Sequence, residues 1–181
     1  KSRVLDVGCG SGAFLAAVRS RVGCRVQGLD LSDNAVRAAR DKYGIEVFGG
    51  TIFDAPFEPE TFDMVTAWSY IEHVNDPAAV LAAMLKPGGV LILKTPNATG
   101  WNARLFRGKW YHLDCPRHLF LFDPDTLTAM LRKTGFHPRH IEYEKGSKGI
   151  LGSLQYVFYG NNYDPAHRNR VRKSGLIKSL V

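Results

Sequence analysis

At 181 residues the chain has the length of one α/β domain and can bury a substantial core, and no apolar run approaches the roughly eighteen residues of a membrane span. Its three cysteines, Cys9, Cys24 and Cys115, form no CxxC pair, which argues against a disulfide framework or zinc site and for a reducing, cytoplasmic setting. The formal charge of +7 is uneven: residues 1–100 carry ten Lys/Arg against eleven Asp/Glu, and residues 101–181 carry fourteen against six. An anionic partner would meet the second half, although a solvated basic face is the commoner source of such charge.

No signal peptide is visible, and because the chain opens inside a strand a natural N-terminus is expected to precede it. Val4, Leu5 and Val7 form a short apolar run suited to a strand buried on both faces of a parallel sheet. Glycines at 8, 10 and 12 then force a tight turn, and Phe14, Leu15 and Val18 follow at helical spacing. Strand, glycine turn and helix in this order form a nucleotide-binding fingerprint, with helix-end donors and a partial positive charge facing the turn. A second apolar run, Val26 to Asp30, ends in an acid at the spacing where a carboxylate takes the ribose hydroxyls of a nucleoside. An ordinary βα turn with Asp30 as a helix cap is the bland alternative.

Two nucleoside classes fit this pattern. Gly8-x-Gly10-x-x-Ala13 matches the dinucleotide fingerprint of NAD(P)-dependent oxidoreductases. Asp6 points the other way, because a carboxylate two residues before the first glycine repels a pyrophosphate and attracts the ammonium of an amino-acid moiety.

Ser32 is a suitable N-cap for a helix through Ala35, Val36, Ala38 and Ala39 that Gly44 ends. Ile45–Phe48 reads as a third strand with Gly49–Ile52 as its exit, and Thr61–Trp68 as a fourth, ending where doubly wound sheets place ligands. Asp76 and Pro77 start a helix through Leu81 and Met84, Lys86–Gly89 reads as a turn, and Val90–Leu93 as a fifth strand. Thr95–Asp123 is too long for a plain connection, and its aromatics beside cations predict a lid or substrate wall over 97–123. A helix starts at Asp123 or Pro124, carries Leu127, Met130 and Leu131, and stops at Gly135; Phe136–Tyr143 reads as a sixth strand.

No seventh strand is visible. From Gly146 onward Ile150, Leu151, Leu154, Val157 and Phe158 share a helical face, followed by the basic cluster Arg168–Lys173 and then Leu176, Ile177 and Leu180. Such a face most often packs on its own domain, and next to a basic cluster it can also lie on a membrane or cover a lipid-like substrate. The expected architecture is an α/β, doubly wound, mostly parallel sheet with helices on both faces over residues 1–145, extended by a basic amphipathic segment over 146–181.

Leu5-Asp-Val-Gly-Cys-Gly-Ser-Gly12 resembles the first motif of class I S-adenosylmethionine-dependent methyltransferases. Glu72-His-Val-Asn-Asp-Pro77, Lys86-Pro-Gly-Gly89 and Pro116-Arg-His118 are similar to blocks of a small-molecule subgroup related to bacterial ubiquinone-biosynthesis methyltransferases. The resemblance implies methyl transfer from S-adenosylmethionine to a small-molecule acceptor, a hydroxyl in the first instance and lipid-like or acidic in character, with S-adenosylhomocysteine as product. It implies that Asp6, Gly8, Cys9, Gly10, Gly12, Asp30, Leu31, Thr51, Ile52, Trp68 and Ser69 hold the cofactor, with Thr51 where the family commonly has an Asp for the adenine. His73, a turn beyond the fourth strand, is the candidate base, since histidine titrates in the useful range. The alternative for Glu72 and His73 is to stitch their loop to the scaffold. His112 and His118 are reserve bases, and Arg117 a partner for an acidic substrate group. Some quinone-pathway relatives use an acid three positions before the Glu-His pair to help hold a metal; Ser69 stands there, so no metal is expected. Nucleic acid is not the expected partner, a lipid surface is a possible one through the basic C-terminal part, and no pattern speaks to oligomeric state. A nucleoside-binding domain without activity remains the third reading.

Overall fold

The computed structural model describes residues 1–82, 85–144 and 148–159. It divides into two compact units, Lys1–Asn97 with Pro116–Ile141, and Ala98–Cys115 with Glu142–Val181.

The first unit is built on five parallel strands, β1 (Arg3–Val7), β2 (Arg25–Asp30), β3 (Glu46–Gly49), β4 (Phe62–Trp68) and β5 (Leu85–Lys94), in the order β3-β2-β1-β4-β5. Chain order runs outward from β1 in one direction and resumes at β4 in the other. The crevice at the carboxyl ends of β1 and β4 is therefore the switch point at which such sheets bind ligands. Alternate side chains of β1 go to opposite faces, as the two-residue period of a strand requires. Val4 joins Leu15, Val26, Ala39 and Ile45 under the helices α1 (Ala13–Val22) and α2 (Asp33–Tyr43). Leu5 and Val7 join Leu29, Phe62 and Val65 on the other face, with Val80 of the helix α3 (Pro77–Ala82). The doubly wound arrangement is present as expected.

The predicted caps hold: Ser32 accepts from the Ala35 amide, and Gly44 ends α2 in the left-handed conformation. Helix α5 (Pro124–Lys133) opens on a reciprocal capping box between Asp123 and Thr126. Two expectations are corrected. Lys86–Gly89 is no free-standing turn but lies within β5, where the pairing jumps from Phe62–Leu85 to Met64–Val90 as an irregularity in the ladder. Residues 136–144 form no strand, so the described sheet ends at β5. Pro138 lacks a ladder donor, and Ile141 and Tyr143 stay half-exposed or more, so the stretch has neither the hydrogen bonds nor the burial a sixth strand needs.

In the second unit, α4 (Trp101–Phe106) packs with α6 (Lys148–Tyr159), and the Ser153 hydroxyl accepts from the Tyr111 amide at 2.9 Å. The helix predicted after Gly146 is present, but its buried positions are Gly149, Gly152 and Ser153, while Ile150 and Leu151 are half-buried and Leu154, Val157 and Phe158 are exposed. Met84 and the cluster Arg168–Lys173 with Leu176, Ile177 and Leu180 lie outside the described residues. Among the described residues, no helix is long and apolar enough to cross a membrane.

Candidate functional site

Asp6 sits in the central strand between Gly28 of β2 and Thr66 of β4. That position buries it to 2% exposure, and the Thr66 hydroxyl donates to its carboxylate at 2.6 Å. Burial, only partly offset by that hydrogen bond and reinforced by the charge of Asp30, pushes its carboxyl from 3.8 up to about 6.

The glycine turn begins one residue beyond β1, with positive φ at residues 8, 10 and 12. Each glycine has a different reason to be there. A Cβ on Gly8 would lie 2.5 Å from the Tyr70 ring, and one on Gly12, the N-cap of α1, 2.9 Å from the Ala39 Cβ. Only at Gly10 is the space open. Four turn amides are engaged: those of Gly8 and Cys9 donate to the Leu29 carbonyl, that of Gly10 to the Asp30 carboxylate at 2.8 Å, and that of Gly12 to the Cys9 carbonyl. A buried carboxylate beside the turn supplies a negative acceptor, which suits an ammonium group and repels a pyrophosphate.

Asp6, Gly8, Cys9, Gly10, Phe14 and Trp68 line one pocket of about 410 Å³. Phe14 and Trp68 meet edge to face at 5.2 Å, both about one third exposed. The sequence reading uses Phe14 only as part of the helical spacing after the glycines; its place in the first turn of α1 is the signal that puts it at the ligand edge. Tyr70, lying against Gly8, is likewise read only from the structure, and burial with the Asp30 charge raises its hydroxyl pKa. Cys9 is packed against Gly28, its thiol pushed up to about 12 by burial and the charges of Asp6 and Asp30, so it stays neutral.

The remaining cofactor candidates are not among the residues that line this pocket. The Asp30 carboxylate accepts from both the Gly10 and Ser32 amides, tying the end of β2 to the turn. Leu31 is exposed, Ile52 is a core residue at 2% exposure, and the Thr51 hydroxyl donates to Asp54. Ser69 takes positive φ at the end of β4 and donates its amide to the Lys94 carbonyl; a non-glycine residue held this way at a sheet's ligand edge marks backbone strain.

A second cluster follows at Ile71–His73, a short 3₁₀ turn after β4. Glu72 is 1% exposed and neither carboxylate oxygen has a hydrogen-bond partner. The His73 and His118 rings are 4.6 Å apart, and donor atoms of Glu72, His73 and His118 all lie within 4.8 Å of one another. His73 Nδ1 donates to the Arg117 carbonyl at 3.0 Å, leaving Nε2 as the acceptor of the neutral ring. The Glu72 carbonyl accepts from the Leu119 and Phe120 amides, so this turn also anchors the 117–120 loop. Sequence spacing could not bring His118 to Glu72, since 46 positions separate them. The donor set, one carboxylate and two imidazoles, also suits a divalent cation.

A family model described as a methyltransferase domain matches residues 1–141. A ubiquinone biosynthesis O-methyltransferase of Ralstonia nicotianae is 33% identical over 160 residues, covering 78% of this chain and 66% of that protein. The one from Bordetella bronchiseptica is 36% identical over 163 residues with the same coverage, and one from Xanthomonas campestris 39% identical over 107 residues, covering 54% and 44%. The chain thus spans between about half and two thirds of the length of these relatives. A SAM-dependent methyltransferase from Thermotoga maritima superposes with a TM-score of 0.63 at 25% identity, covering 76% of this chain and 65% of that one. At 19% identity, one from Archaeoglobus fulgidus shares the fold with a TM-score of 0.61, covering 89% and 80%. The strand order, the carboxylate before the glycine turn and the matched span agree, and the chain belongs to the methyltransferase-domain family, in the class I S-adenosylmethionine-dependent group.

Proposed function

We propose that this chain takes S-adenosylmethionine as its cofactor and directs its methyl group to a hydroxyl of a small-molecule acceptor. The observation that carries the reading is Asp6: a buried carboxylate at the switch point, beside the glycine turn, where it attracts an ammonium and repels a pyrophosphate. It pairs with the cofactor ammonium, Asp30 takes ribose hydroxyls on its remaining lone pairs, and Phe14 with Trp68 walls the pocket where the sulfonium comes to lie. The O-methyltransferases among the relatives support an oxygen acceptor, and three free thiols suit a reducing, cytoplasmic compartment.

A sulfonium already carries a good leaving group, so the protein mainly aligns two reactants and removes one proton. His73 is the proposed base through Nε2. Glu72 then gains the partner it lacks: the imidazolium formed at His73 faces a buried carboxylate that stabilises it. His118 stands by as the second imidazole, and Arg117 is the proposed partner of an acidic substrate group. A divalent cation on Glu72, His73 and His118 would instead supply Lewis-acid polarisation of the acceptor oxygen.

Titration calorimetry tests the cofactor reading. S-adenosylhomocysteine binds and Asp30→Ala weakens it by about tenfold or more; NADH binding in its place sinks the proposal. Turnover tests the base. His73→Ala lowers kcat by about 10²-fold or more with little change in cofactor affinity, and activity survives dialysis against EDTA; loss restored by a divalent cation would make His73 a ligand.

A further inference from the structure

We propose that Thr66 is a positioning residue for the cofactor: its buried hydroxyl ties one oxygen of Asp6 to the scaffold and leaves the other for the ammonium of the amino-acid tail. The inference rests on the cofactor reading of Asp6 and adds the group that aims it. Thr66 stands opposite Asp6 in the β1–β4 register and opposite Ile92 of β5 on its other side, and it is 0% exposed. Its hydroxyl has one proton and two acceptors in reach, Asp6 Oδ1 at 2.6 Å and the Leu5 carbonyl at 3.4 Å. The shorter bond, to the acceptor that can carry a charge, takes the proton. A β-branched side chain is stiff at χ1, so the direction of that bond is set by the strand itself. Asp6 Oδ2 has no hydrogen-bond partner among the described residues, and Asp6 lines the pocket with Phe14 and Trp68. Oδ2 is therefore the oxygen offered to a ligand.

The surroundings of Asp6 make the hydroxyl necessary. Burial and the charge of Asp30, at the end of β2, both favour the neutral carboxyl, and the Thr66 hydroxyl favours the charged one. The other titratable groups nearby are neutral: the Cys9 thiol in the turn, and the phenol of Tyr70, which follows β4 and lies against Gly8. Gly28, the neighbour on β2, has no side chain to contribute. With Thr66 fully buried, no water stands ready to replace a lost donor at Oδ1. A threonine that only filled space would be replaced by valine without consequence for the ligand; one that holds a charge would not.

Titration calorimetry with S-adenosylhomocysteine, run from about pH 5.5 to about pH 8.5, separates the two. Removing a donor that stabilises the charged carboxylate raises its pKa, so the charged fraction at a given pH falls and the affinity profile moves to higher pH. Thr66→Val keeps the side-chain shape and is expected to move the midpoint up by about one pH unit or more. It weakens binding about tenfold near pH 6, and the two chains come within about threefold of each other at about pH 8.5. Thr66→Ser restores the hydroxyl and follows the parent profile. In an Asp6→Asn background, where no charge is left to hold, Thr66→Val changes affinity by less than about twofold at any pH. A melting scan reports folding, and if Thr66→Val does not fold, Thr66→Ala carries the same comparison. The proposal is overturned by a Thr66→Val profile that coincides with the parent's, by a weakening of equal size at every pH, or by a Thr66→Ser chain that behaves as Thr66→Val does. No binding by the parent at any pH removes the cofactor reading and this proposal together, whereas binding with an unmoved profile removes Thr66 alone.

Discussion

Asp6 has to be ionised to do its work in a place that resists ionisation. The gap between 3.8 and about 6 corresponds to about 3 kcal/mol held against the unliganded fold at neutral pH. Because the folded value is the higher one, the stability this group contributes is full below pH 4 and is lost as pH rises through 6. Asp6→Asn keeps an acceptor for the Thr66 hydroxyl and removes the charge. Calorimetric melting at pH 7.5 is therefore expected to show a more stable chain, by up to about 3 kcal/mol, and titration a weaker one for S-adenosylmethionine, by about tenfold or more. In the parent chain, cofactor affinity should fall as pH drops below 6, where Asp6 takes up its proton and no longer faces the ammonium as a charge. An Asn variant that binds as tightly as the parent would remove Asp6 from the cofactor site. The position of Asp6 before the glycines was legible in the sequence; its depth was not, because that comes from Gly28 and Thr66 on the neighbouring strands.

Helices and turns were legible where a local residue controls them, as with Ser32, Asp123 and Gly44, and less so where the control is distant. The sixth strand failed on Pro138 and on missing burial, and the α6 stripe was real while its solvent face was not readable, since periodicity says which residues share a side and not which side is covered. Gly12 shows the same division. Its positive φ is a local demand, but its closeness to Ala39 belongs to α1 packing on α2. Gly23 supplies the comparison, since it also has positive φ but faces open space. Gly23→Ala is expected to cost about 1 kcal/mol in urea denaturation, the left-handed strain alone. Gly12→Ala adds a clash to that strain and is expected to cost about 3 kcal/mol. Equal midpoints for the two variants would show that α1 and α2 tolerate the extra methyl and that the turn glycine is there for φ only.

At the scale of the molecule, five of the six expected strands and their parallel direction followed from the spacing of apolar runs, and the switch point from chain order once β1 is central. The Glu72, His73 and His118 cluster did not, because only the return of the chain after β5 brings His118 back to the end of β4. The sheet order makes a graded prediction for amide exchange. β1 is paired on both sides along Val4–Val7, whereas β3 and β5 are paired on one side only. Amides of Val4–Val7 and Val65–Ala67 should exchange only through global unfolding, those of β5 should open earlier, and residues 136–144 should exchange fastest of the three groups because they have no ladder partner. Mass-spectrometric exchange at neutral pH reads this order directly. Protection over 136–144 equal to that of β1 would mean that Phe136–Tyr143 pairs with β5 in solution, extending the sheet and covering the edge that carries Val90 and Ile92, both now more than one third exposed.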